Sequence, residues 1–185
     1  MINKILISVE KVKENFRKYP DIFLTENDLR SHLFAELLDG FSDIKTTIDQ
    51  SKSIDLHTEV RWYGNDNKLK FRSDIVIIDA SDLKTKNSTI FKLPSKGFAF
   101  NRFSAIIETK LRRINGSSDV QFTNDIKKDI KKLQSISEKV SSDFNGFIVV
   151  FDKKNNIKNK VDNLVRSENI DVIYAYPQIS NNKKN

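Results

Sequence analysis

Phe71-Arg72-Ser73-Asp74-Ile75-Val76-Ile77-Ile78 and Ala105-Ile106-Ile107-Glu108-Thr109-Lys110 decide how this chain is read. Each is a short apolar run rich in β-branched residues, as a buried strand requires, and each carries charges for which a core strand has no structural use. Side chains along a strand point to alternate faces, which puts Glu108 and Lys110 on one face and Ile107 and Thr109 on the other. If the first run pairs beside the second, Asp74, Glu108 and Lys110 converge on one spot. Buried charges are costly unless paired or bound to metal, so such a cluster is either a salt-bridged structural triad or a cation site. Carboxylate oxygens are hard ligands, and one or two of them with several retained waters suit Mg²⁺.

The rest of the chain supplies elements around these two runs. Apolar residues at 2, 5, 6, 9, 12 and 16 lie on one face of a first helix, and the intervening Lys4, Glu10, Lys11 and Lys13 rule out a membrane span or signal peptide there. After Pro20, Thr25-Glu26-Asn27-Asp28 reads as an N-cap with an acidic first turn, opening a second helix that runs to about Asp39 and is closed by Gly40. Its stripe at 29, 33, 34, 37 and 38 faces the core, and Glu26 extends that stripe at the helix start, more so than Glu36. Residues 41 to 55 read as a loop or short irregular strand. His57 to Tyr63 alternates, with His57, Glu59 and Arg61 on one face and Thr58, Val60 and Trp62 on the other. The turn Gly64-Asn65-Asp66-Asn67 joins it to the Asp74 strand as an antiparallel hairpin, with Glu59 near Asp74.

Beyond the Glu108 strand come a basic loop over 111 to 118, a helix from about Val120 to Val140, a strand over 146 to 151, a short helix over 159 to 167 and a last strand over 171 to 176 stopped by Pro177. In the long helix, Lys127, Lys128, Lys131 and Lys132 read as a solvated face. This order predicts one α/β domain over 1–180, a mixed β-sheet with helices on both faces, followed by a disordered polar tail over 181–185.

The net charge is +7 and there are no cysteines, which excludes thiolate zinc sites, iron–sulfur clusters and disulfide scaffolds and fits a reducing cytoplasm. Between Lys84 and Arg113 eight basic residues stand against one acid, so the whole excess lies in the segment that leads into and out of the proposed site. There Lys92, Lys96 and Arg102, interleaved with Phe91, Phe98, Phe100 and Phe103, suit a phosphate backbone, and Arg112 and Arg113 follow the strand.

Asp74, 33 intervening residues and then Glu108-Thr109-Lys110 resemble the signature of the PD-(D/E)xK phosphodiesterase superfamily, which includes restriction endonucleases and Holliday-junction resolvases. Ser73 stands where the motif name has proline. The resemblance implies a three-layer restriction endonuclease-like core and a Mg²⁺-dependent nuclease acting on DNA, with Mn²⁺ able to replace Mg²⁺, RNA left open as substrate and a homodimer compatible with cutting two strands. It further implies that Asp74 and Glu108 hold the metal with the backbone carbonyl of Thr109, that Lys110 orients the attacking water, and that a helix glutamate, here Glu26, completes the site. Two alternatives stay open on the residues alone: a nucleic-acid-binding or assembly subunit that keeps the fold without turnover, and a salt-bridged triad in an unrelated α/β protein.

Overall fold

The structure is a computed structural model and describes residues 1–63, 69–85, 103–139 and 143–178. The first helix, α1 (Ile2–Lys18), buries Ile5, Val9, Val12 and Phe16 along one stripe. After a 3₁₀ turn at Pro20–Ile22, α2 (Glu26–Phe41) begins at a capping box: the Thr25 hydroxyl accepts from the Asp28 amide at 3.1 Å while the Asp28 carboxylate accepts from the Thr25 amide at 2.8 Å. This start places Glu26 in the first turn, as the sequence suggests. Gly40, by contrast, lies inside the helix. A Cβ there would stand 3.3 Å from the Lys4 side chain, whose ammonium caps the Gly40 carbonyl at 3.1 Å, so this glycine serves the approach of α1 to α2.

Two short strands, β1 (Lys45–Thr46) and β2 (Lys52–Ser53), pair as a separate ribbon. The main sheet has the order β3 (Leu56–Tyr63), β4 (Leu69–Ile78), β5 (Phe103–Arg112), β6 (Asn145–Asp152), β7 (Ile170–Ala175). Pairs β3–β4 and β4–β5 are antiparallel, while β5–β6 and β6–β7 are parallel, so the sheet is mixed. Long α3 (Asp119–Lys139) carries the chain from β5 to β6, and short α4 (Lys158–Asp162) from β6 to β7. The fourth helix stops well before the expected 167: Leu164 still packs with Val161 in the core, but beyond it Val165 is 90% exposed.

Two apolar cores enclose the sheet. On one face α1 and α2 pack Val9, Leu33 and Leu37 against Ile75, Ile107 and Val149; on the other α3 and α4 pack Ile126, Ile130 and Val161 against Val76, Ile106 and Ile148. The result is an α/β arrangement of three layers. The parallel strands are buried on both faces and read as near-continuous apolar runs for that reason.

In β5 the expected alternation holds: Ala105, Ile107 and Leu111 pack on the α1/α2 side, and Ile106 on the α3/α4 side. In β3 it does not. Leu56 packs with the α1/α2 core while Val60 and Trp62 pack with the α3/α4 core, although all three are even-numbered. Between them Glu59 has φ 57°, a left-handed conformation unusual for a non-glycine residue within a strand. The same phase change occurs on β4, where Val76 and Ile78 share a side with Phe71 and with Ser73, whose hydroxyl accepts from Trp62 Nε1 at 2.8 Å. The break in β4 falls at Asp74, across from Glu59.

Candidate functional site

Strands β4 and β5 are registered from Ile78 and Phe103 as far as Ile75 and Ile107. At the next step Asp74 puts its side chain where the ladder would continue: Oδ2 accepts from the Thr109 amide at 2.9 Å and from the Thr109 hydroxyl at 2.8 Å. Its Oδ1 stands 3.4 Å from Arg30 on α2, which also pairs with Glu59. Glu59 in turn holds Arg72 at 2.9 Å. The carboxylate of Asp74 is thereby fixed at the point where two central strands part, next to Glu108.

Glu108 and Lys110 share the α3 side of β5. Glu108 is 1% exposed. Its Oε2 lies 2.5 Å from Lys132 on α3, while Oε1 is buried without a hydrogen-bond partner. The ammonium of Lys132 also donates to the Arg72 carbonyl at 3.1 Å and stands 3.7 Å from Asp129. Lys110 reaches Asp129 at 3.0 Å and Glu26 at 3.2 Å, and it contacts the Thr109 carbonyl oxygen at 3.2 Å. Acids and bases therefore alternate across the site as Glu26, Lys110, Asp129, Lys132 and Glu108, with Asp74, Arg30, Glu59 and Arg72 continuing from there. Beside Lys110 opens a pocket of about 360 Å³, lined in part by Glu26, Ser117, Lys128 and Asp129. A larger pocket of about 780 Å³ lies between α3 and α4, away from these charges.

Burial governs the protonation of this cluster. It raises the Glu108 carboxyl to about 8, against the opposing pull of Lys132 and with added repulsion from Asp74 and Asp129. Glu26, more exposed, is raised by the same desolvation, with Lys110 opposing it. For Lys110 burial acts to lower the pKa, but Asp129 and Glu26 outweigh it and hold the ammonium charged.

A carboxyl whose folded pKa lies above its unfolded one binds its proton more tightly in the folded state. Its contribution to stability is therefore complete below about pH 4.5 and is lost as pH rises toward about 8. Thermal melts in chelator of wild type and Glu108→Gln, which mimics the neutral acid, should coincide near the lower limit and separate above it. The Gln variant becomes the more stable by up to about 1.4 kcal/mol per pH unit in that window. Parallel curves would remove the burial effect assigned to Glu108.

The remaining residues singled out from the sequence are distributed differently. Lys92, Lys96 and Arg102, with Phe91, Phe98 and Phe100, lie outside the described residues, whereas Phe103 is a core residue packed against Trp62 and Phe144. Arg113 is exposed. Arg112 corrects the expectation made for it: at 1% exposure it has no face to offer a phosphate, because its guanidinium is bound by Asp152, Asp119 and Asn156. Lys132 is likewise drawn inward to Glu108, in contrast to the exposed Lys127, Lys128 and Lys131. His57 bonds the Ile54 carbonyl at 2.8 Å, and Glu36 pairs with Lys11 on the outer side of α2.

Sequence reasoning missed Arg30, Asp129 and Lys132 as members of the cluster. Asp129 had a signal: it falls three residues after Ile126 and four before Leu133, within the buried stripe of α3. Among the described residues no three Asp, Glu or His side chains form a preformed cage, so an ion here would rest on two carboxylates and retained waters. Among the same residues no helix is long and apolar enough to cross a membrane. No family model, curated protein or solved structure matches the chain.

Proposed function

We propose that the chain is a metal-dependent nuclease of PD-(D/E)xK type that hydrolyses DNA phosphodiester bonds. The observation that carries this reading is the Asp74 carboxylate, held by the backbone and hydroxyl of Thr109 at the parting of β4 and β5, beside the buried Glu108. A salt bridge made only for stability has no need to place two acids side by side, where the charge of Asp74 opposes the ionisation of Glu108.

The donor set fits Mg²⁺. Both groups offer hard oxygens, and Glu108 Oε1, buried and unpartnered, is the kind of orphan that an ion or its water would satisfy. Asp74 and Glu108 would hold the ion, with the Thr109 carbonyl as a further oxygen once Lys110 moves off it. A bound Mg²⁺ would supply an acidified water and relief of the charge that builds on the phosphate. The chain's own residues do the rest. Glu108 gives up its proton to become a ligand, so ion binding strengthens as pH rises toward about 8. Lys110, kept charged by its two acids, presents a cation beside the reacting phosphate. Glu26 holds that ammonium from the start of α2.

The internal cations favour a second reading, in which a non-cleaving nucleic-acid-binding or assembly subunit keeps these charges as a neutralised structural network. Incubation with supercoiled, linear and branched DNA in Mg²⁺, Mn²⁺ or chelator separates the two: cleavage confined to the metal-containing samples supports the nuclease, and its absence in all of them supports the subunit. Within the nuclease reading, Glu26→Gln should lower the cleavage rate while changing stability by less than about 1 kcal/mol, since its carboxylate is 44% exposed and its ion pair correspondingly weak. Full activity in that variant would leave Glu26 as a residue of the helix first turn only.

A further inference from the structure

We propose that the groove between α3 and α4 docks an acidic peptide segment of a partner protein, one that carries aliphatic side chains beside its carboxylates. The groove shares no residue with the charged cluster around Glu108 and Lys110, and it would serve a nuclease or a non-cleaving subunit alike.

Ile130 and Leu164 lie at the floor of the groove, 3% and 9% exposed, while Val120 and Val165 stand open beside it, 67% and 90% exposed. Single apolar residues on a surface are ordinary, but these four border one concavity of about 780 Å³, and covering them would stabilise a complex. The charged lining is of one sign: Lys127, Lys131 and Lys160 border the groove and, among the described residues, no acid does. Lys127 and Lys131, four residues apart on α3, form no ion pair among those residues; like charges so placed repel, and a carboxylate between them relieves that. Lys160 stands 3.6 Å from Asp119, a carboxylate that the Arg112 guanidinium already engages at 2.8 Å. A nucleic acid would match the lysines but not the floor, since phosphates offer nothing apolar and the lining has no aromatic ring on which an unpaired base could stack. A small ligand is usually buried over most of its surface, whereas seven of the eleven lining residues are exposed, which makes this an open groove. A peptide that lays an apolar stripe on the floor and carboxylates along the rim meets both features. On α3 the groove residues lie across the buried stripe from Asp125, Lys128 and Lys132, so the charged cluster stays open while the groove is filled.

The test is a selection of displayed random peptides on the immobilised full chain, followed by fluorescence anisotropy of a labelled enriched peptide on four proteins. These are wild type, Lys127→Glu with Lys131→Glu, Val165→Asp, and Lys11→Glu with Lys18→Glu as a control of equal charge change on α1, across the sheet. All the replaced residues are exposed, so the fold should be retained. Enriched peptides should combine Asp or Glu with aliphatic residues. Their affinity should fall by about tenfold or more for the α3 pair, where like charges now meet, and several-fold for Val165→Asp, with the α1 control close to wild type. No enrichment, enrichment of peptides without acids, or equal affinity for all four proteins overturns the proposal. A labelled duplex in chelator is measured beside the peptide: if the α3 pair loses duplex affinity and no peptide affinity, the groove belongs to a nucleic-acid face and the peptide proposal falls. It falls equally if light scattering finds a wild-type dimer that Val165→Asp splits, which would give the groove to a second copy of this chain. None of these results alters the outcome of the cleavage assay, which tests the nuclease separately.

Discussion

Asp74→Asn is expected to abolish Mg²⁺-dependent cleavage while leaving DNA binding equal or stronger. A metal supplies several kcal/mol of transition-state stabilisation, and each 1.36 kcal/mol is tenfold in rate, so a lost metal-holding charge should lower cleavage by about 10³-fold or more. The fold should survive the change. An asparagine carbonyl oxygen can still accept from the Thr109 amide and hydroxyl, and Arg30, which loses only its long 3.4 Å contact to Asp74, keeps its pairing with Glu59. Binding gains from the removal of a charge that repels phosphate. Plasmid nicking read beside fluorescence anisotropy on a labelled duplex at several salt concentrations measures both effects. Wild-type protein that binds DNA but cuts nothing in Mg²⁺ or Mn²⁺, and so cannot be told from Asp74→Asn, would put the non-cleaving subunit first.

How far the sequence led depends on where the period-two rule of strands could be trusted. It could be along β5: the rule puts Glu108 and Lys110 on one side and Ile107 and Thr109 on the other, and the packing of α3 against one and α2 against the other follows it. Carried two residues further, the same rule puts Arg112 on the buried side with Glu108. It was the adjacent Arg113 and the basic loop that suggested a surface role. The rule failed at Glu59 and Asp74 because it assumes an unbroken extended backbone, and a left-handed Glu59 shifts the phase of the hairpin. Nothing local in His57–Tyr63 marks that conformation; it depends on Arg30 arriving from α2 to bind Glu59 and Asp74 together. Lys132 was misread for a different cause. A lysine run on a helix is usually solvated, but the helix is set so that Asp129 and Lys132 cover a strand whose own charges need partners. That is a tertiary fact, and only Asp129 left a trace of it in the apolar spacing.

The largest effect on stability is expected at Arg112. Its guanidinium spans the C-terminal ends of the parallel strands and the start of α3: Nε and Nη2 donate to Asp152 at 2.7 and 2.5 Å, Nη1 to Asp119 at 2.8 Å, and the plane lies 5.0 Å from the Phe122 ring centroid. Asp152, 0% exposed, also accepts from the Tyr174 hydroxyl at 2.5 Å and from the Lys154 amide at 2.9 Å. Arg112→Leu fills much of the volume but leaves that carboxylate buried without its cation, which costs about 3–5 kcal/mol. In a chain of this length that is a fall in melting temperature of about 6–20 °C. Arg112→Lys should recover little, since a single ammonium lacks the fork that meets Asp152 from two sides. The double replacement Arg112→Leu with Asp152→Leu should recover more than either, because it removes the stranded charge as well as its partner. Arg113→Ala, at an exposed position, should leave the melt unchanged. The opposite pattern is as readable. If Arg112 were a phosphate contact, its replacement would leave stability intact and lower the slope of log affinity against log salt by about 0.9. An Arg112→Leu protein that melts with wild type would break the assignment of this residue to the core.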